Sequence, residues 1–74
     1  MKLVVKLFAS LREGRAKEIL IERSGVYTPK TIIKELNIPE EDVAIIMING
    51  RRSEADIQLN EGDTVSLFPP VGGG

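Results

Sequence analysis

The chain has 74 residues, ten Lys+Arg against eleven Asp+Glu for a formal charge of −1, and neither cysteine nor histidine. A chain this short buries only about 60% of its unfolded surface, so one small domain (1–74) is expected, without disulfides, Cys–His metal sites, thiol nucleophiles or imidazole catalysis. The balanced charges argue against a nucleic-acid partner, and the absence of a long apolar run or a secretory leader argues against a membrane partner and for a cytoplasmic protein.

Aromatic residues make up 4% of the chain, namely Phe8, Tyr27 and Phe68, against 42% hydrophobic residues overall. The core is therefore expected to be aliphatic.

Residues 2–8 alternate as a strand, with Leu3, Val5 and Leu7 on one face and Lys2, Val4, Lys6 and Phe8 on the other. Ser10-Leu11-Arg12-Glu13 fits a capping box at a short helical turn that Gly14 ends. Residues 17–22 read as a second strand with Ile19 and Ile21 inward, paired antiparallel to the first. Thr28-Pro29 starts a helix, since threonine accepts as N-cap and proline tolerates the first helical position. Ile32, Ile33 and Leu36 form its buried stripe, and Asn37 and Pro39 stop it.

Glu40-Glu41-Asp42 reads as a turn with a favourable acidic start, the three consecutive carboxylates pointing apart. Residues 43–48 form a wholly apolar strand whose faces periodicity does not assign, although Ile45 and Met47 are the expected outer pair. Asn49-Gly50 is a tight-turn signal, because both residues accept positive φ. Arg51-Arg52 begins a short returning strand and reads as a solvated turn. Residues 60–63 turn again, and residues 64–68 form the last strand.

One helix cannot cover both faces of a four- or five-stranded sheet. The expected fold is α+β: a mixed sheet with one main helix on one face and the other face partly wet. With the first and last strands side by side in the middle, this is the β-grasp, or ubiquitin-like, topology. The alternation then places Phe8 and Phe68 on the open face beside Val4, Ile45 and Met47, and an apolar patch there is expected to dock a partner.

The chain ends Pro69-Pro70-Val71-Gly72-Gly73-Gly74. The prolines donate no N–H and fix a stiff extended exit from the sheet. Glycines let another surface approach the backbone closely, so a tail of residues 69–74 suits insertion into a narrow channel with its carboxylate leading. A carboxylate becomes an acyl donor only once activated, as by adenylation with ATP, after which sulfur or nitrogen can take the acyl group.

Phe8-Ala9-Ser10-Leu11-Arg12-Glu13, Asn49-Gly50, Glu61-Gly62-Asp63-Thr64-Val65 and the closing Phe68-Pro69-Pro70-Val71-Gly72-Gly73-Gly74 together resemble the MoaD family, the small subunit of molybdopterin synthase. The resemblance spans the chain, with Gly72 at the family's variable position. It implies a sulfur carrier in molybdenum cofactor biosynthesis that is not an enzyme by itself and holds no cofactor. An E1-like adenylating enzyme of the MoeB type would use ATP and magnesium to adenylate Gly74. A persulfide donor would convert the product to a thiocarboxylate. The carrier would then dock on a large MoaE-type subunit and deliver sulfur to precursor Z. On this reading Gly72 and Gly73 thread the channel, and Phe8, Phe68, Pro69, Pro70 and Val71 contact partners.

The compact middle, residues 31–41, looks more like ThiS, the sulfur carrier for thiamine thiazole. A ubiquitin-like modifier, joined through Gly74 to lysines, and an interaction domain with an inert tail are the other readings.

Overall fold

A computed structural model of the chain describes residues 1–70. The expectations for Val71, Gly72, Gly73 and Gly74 lie outside the described residues.

The elements run β1 (Lys2–Leu7), a 3₁₀ turn (Ala9–Arg12), β2 (Glu18–Glu22), α1 (Pro29–Glu35), a second 3₁₀ turn (Glu40–Asp42), β3 (Ile45–Ile48), β4 (Arg51–Arg52) and β5 (Thr64–Phe68). The sheet order is β2-β1-β5-β3-β4, with β1 and β5 parallel at the centre and the other pairs antiparallel. This is the expected mixed β-grasp sheet with one helix.

Alternation along β1 and β5 builds the core. Leu3, Val5, Leu7, Val65 and Leu67 are buried on the face that packs with Ile32 and Ile33 of α1, and Leu11, Ile21, Ile38 and Leu59 close the periphery. Tyr27 is the one buried aromatic, and its hydroxyl donates to Glu35, which also accepts from Arg23 Nε at 2.9 Å. Apart from Tyr27, no side chain bearing a polar or charged group is buried among the described residues.

Helix α1 is too short to persist alone. Three features hold it in place. Thr28 Oγ1 accepts the Thr31 N–H at 3.2 Å as N-cap, with Pro29 at the first position. Asn37 sits at φ 57° after the C-cap Leu36, and the N–H groups of Ile38 and Asn37 donate to the carbonyls of Ile33 and Lys34, a Schellman closure. Ile32 and Ile33 bury their whole side chains against the sheet, while Leu36 is half-buried.

Several expectations are corrected. The Ser10–Glu13 capping box does not form. Phe8 is the residue that precedes the turn, no side chain caps it, and Ser10 lies inside, its carbonyl accepting from Glu13. Strand β1 stops at Leu7, because Ala9 turns to φ 52° immediately after Phe8. Strand β2 begins at Glu18, and β3 at Ile45 because Val43 closes the acidic 3₁₀ turn.

Candidate functional site

The site is the end of the sheet where β5 leaves it. The parallel pairing of Leu7 with Leu67 carries Phe8 and Phe68 side by side onto the open face. Their rings stack with centroids 4.4 Å apart and planes 12° from parallel. Backbone bonds fix both residues: Phe8 N–H donates to the Leu67 carbonyl at 3.2 Å, and Ala44 N–H donates to the Phe68 carbonyl at 2.8 Å. Ile45 is the cross-strand partner of Phe68, and Met47 follows beside Ser66. The register thus settles the faces of β3: Ile46 and Ile48 pack on the core, leaving Ile45 and Met47 outward as expected.

Arg12 completes the cluster. Its Nε donates to the Leu7 carbonyl at 2.7 Å, and its guanidinium carbon lies 5.4 Å from the Phe8 ring centroid. The 3₁₀ turn brings it back over the ring that precedes the turn. The planar fork can satisfy a backbone acceptor and still lie near an aromatic face. It therefore orients the adjacent loop and makes no ion pair with Glu13 among the described residues.

Pro69, which follows Phe68 directly, is half-buried and Pro70 is exposed, so the chain leaves the sheet beside the stacked rings. Of the expected site residues, the fold brings Phe8 and Phe68 into contact, and Pro69 and Pro70 follow Phe68 in the chain. Val71, Gly72, Gly73 and Gly74 lie outside the described residues.

Val4 does not join them. Strand β1 carries it toward the opposite end of the open face, and Lys6 with its neighbours Ser66 and Glu18 forms a polar belt between. The open face therefore has two apolar ends rather than one continuous patch. Of the two sequence readings of Arg12, an ion pair with Glu13 or a brace for the adjacent loop, the contact with the Leu7 carbonyl fits the second. The pairing of Val4 with Leu20 at the far end was missed, although alternation in residues 17–22 places Leu20 outward.

The described residues offer no cluster of three or more His, Cys, Asp or Glu that could hold a metal. No described helix is long and apolar enough to cross a membrane. The cluster itself presents apolar surface and one oriented guanidinium, which suits binding another protein beside the departing tail.

Residues 5–74 match the model of the ThiS family. A candidate molybdopterin converting factor subunit 1 from Pyrococcus furiosus is 32% identical over 96% of this chain and 99% of that one, with a TM-score of 0.75. A complex of subunits 1 and 2 of molybdopterin-converting factor from Helicobacter pylori contains a chain 25% identical, covering 100% of both chains, with a TM-score of 0.67. SAMP1 from Haloferax volcanii, 23% identical over 100% of both chains with a TM-score of 0.78, shares the fold. No curated protein matches the chain significantly. The family match across nearly the whole length, on a β-grasp sheet whose last strand runs into Pro-Pro, places the chain in the ThiS family as a ubiquitin-like sulfur carrier of the MoaD/ThiS type.

Proposed function

We propose that the chain is the small, sulfur-carrying subunit of a molybdopterin synthase and acts as a cosubstrate, with the catalytic acids and bases supplied by its partners. The observation that carries this reading is the likeness, over almost the full length of both chains, to the Pyrococcus furiosus converting-factor subunit. The likeness to a chain of the two-subunit Helicobacter pylori complex supports a large subunit of the MoaE type as a partner.

In the proposed cycle the Gly74 carboxylate attacks the α-phosphate of ATP on a MoeB-type enzyme, releasing pyrophosphate with magnesium as the phosphate counter-ion. The outer sulfur of a persulfide displaces AMP. A thiol reductant then cleaves the resulting acyl disulfide by exchange, is itself oxidised to a disulfide and frees the donor as a thiol, leaving a C-terminal thiocarboxylate, which the large subunit uses to convert precursor Z to the dithiolene. Phe8 and Phe68 hold the partner's surface while Pro69, Pro70 and Val71 direct the tail, and Gly72 and Gly73 pass through a channel too narrow for side chains.

Reconstitution with the adenylating enzyme, ATP, magnesium, a persulfide donor, the large subunit and precursor Z tests the proposal, with the terminus followed by intact mass. Replacement of one terminal oxygen by sulfur and formation of the dithiolene are expected. The ThiS description of the matching family favours a second reading, sulfur delivery for thiamine thiazole. Turnover with a thiazole synthase but not with the large subunit would select it. Conjugates carrying a Gly-Gly remnant on lysine, with no thiocarboxylate, would instead indicate a protein modifier.

A further inference from the structure

The far end of the open face carries features that docking at the tail root does not use. Strand β2 is an edge of the sheet, paired only with β1. Met1 and Arg23 exchange both backbone hydrogen bonds, and Leu7 N–H donates to the Lys17 carbonyl, so Leu3–Ile21 and Val5–Ile19 are the bonded pairs between them. That alternation turns the backbone N–H and C=O groups of Glu18, Leu20 and Glu22 outward, away from β1. Only the Glu22 carbonyl meets a donor among the described residues, Arg23 Nη1 at 2.8 Å. Leu20, at the middle of this edge, is 78% exposed, the highest value for any large apolar side chain described. With Leu3, Val4, Ile21 and Gly62 it lines a mainly apolar recess whose charged lining residues are Lys2 and Glu22.

The charges decide what fits. On the open face β2 reads acid, apolar, acid at Glu18, Leu20 and Glu22. Neither glutamate forms an ion pair among the described residues, although Lys6 and Lys2 stand opposite them across β1. Antiparallel self-pairing centred on Leu20 would set Glu18 against Glu22 of the second copy twice over, and directly opposed like charges are destabilising. A second copy is therefore disfavoured, and a strand presenting base, apolar, base satisfies the same edge.

We infer that the β2 edge and the Leu20–Val4 recess form a second docking site, which takes an extended basic–apolar–basic segment of a partner as a sixth strand. The added strand gains the outward N–H and C=O groups of Leu20 as main-chain partners, while the recess selects its central side chain. Lys6 and Ser66 stand between the Leu20–Val4 recess and Phe8 with Phe68, so a segment can occupy this edge while the tail root is engaged elsewhere.

The test is NMR titration of the ¹⁵N-labelled chain with a capped Lys-Thr-Val-Thr-Lys peptide, against Glu-Thr-Val-Thr-Glu. Saturable shifts centred on Glu18, Leu20 and Glu22, with slowed hydrogen exchange at the Leu20 amide, are expected for the lysine peptide alone. Leu20→Thr, which keeps strand preference at an exposed position, should weaken binding about tenfold while the remaining amide spectrum is unchanged. Equal binding of the glutamate peptide, shifts confined to Phe8, Ile45 and Phe68, or no protection at Leu20 would each overturn the inference. So would concentration-dependent broadening at β2 without peptide, which would assign the edge to a second copy.

Discussion

Phe8 and Phe68 stack on the open face with ring centroids 4.4 Å apart, although they are distant in sequence, Phe8 directly after β1 and Phe68 the last residue of β5. The parallel register of β1 and β5 makes them neighbours, so the polypeptide departs beside a paired aromatic platform. An offset aromatic pair contributes about 0.5–1.5 kcal/mol beyond the area it buries. A double-mutant cycle with Phe8→Ala and Phe68→Ala should return a coupling energy in that range by urea denaturation.

The same platform is expected to be the anchor for the large subunit. Phe68→Asp should weaken binding by at least about 2 kcal/mol, the scale of a central hot spot, while the fold persists because the ring is only half-buried. Calorimetry against the MoaE-type subunit checks this, and unchanged affinity would remove Phe68 from the interface.

Arg12 braces the platform through the Leu7 carbonyl and the Phe8 ring. Arg12→Gln should cost about 1 kcal/mol from the lost hydrogen bond and cation–π contact. It should also shift the Phe8 ring resonances, which are simple to follow because Phe8, Tyr27 and Phe68 are the only aromatic residues.

Asn49 ties the β3–β4 turn to β5. It adopts φ 52°, its Oδ1 accepts the Thr64 N–H at 3.0 Å, and its Nδ2 donates to Asp63 at 2.9 Å. Asn49→Ala removes both bonds and leaves a Cβ residue in the left-handed region, an expected loss of about 1–3 kcal/mol. Asn49→Gly relieves the backbone and should lose less. Urea midpoints of the two variants rank them.

Ile32 is fully buried where α1 meets the sheet. Truncation to alanine at such a site costs about 2–5 kcal/mol. That is a large share of the stability of a small domain, so Ile32→Ala should be substantially unfolded at temperatures the parent tolerates, as circular dichroism would show.

The strands and the helix were legible because alternation and the Thr28-Pro29 cap are local signals. The outward placement of Phe8 and Phe68 followed from counting by twos along β1 and β5. What stayed hidden depended on contacts made elsewhere. Ser10 matched a capping pattern, but the turn begins after Phe8 with Ala9 in the left-handed region, a conformation an alanine does not advertise. The uniformly apolar 43–48 segment had no alternation to read, and pairing of Ile45 with Phe68 fixed its faces. Val4 was grouped with Phe8 because alternation gives a side of the sheet but not a distance along it. The residues expected to carry the chemistry, Gly72, Gly73 and Gly74, lie outside the described residues.

The most direct measurement compares the chain bearing a free Gly74 carboxylate with a semisynthetic chain ending in an amide, each incubated with the adenylating enzyme. The free acid should support ATP–pyrophosphate exchange and, with a persulfide donor, gain sulfur in place of a terminal oxygen. The amide should bind the enzyme through its folded domain yet do neither. Equal exchange and equal sulfur incorporation by the amide would contradict a carrier that works through its last carboxylate.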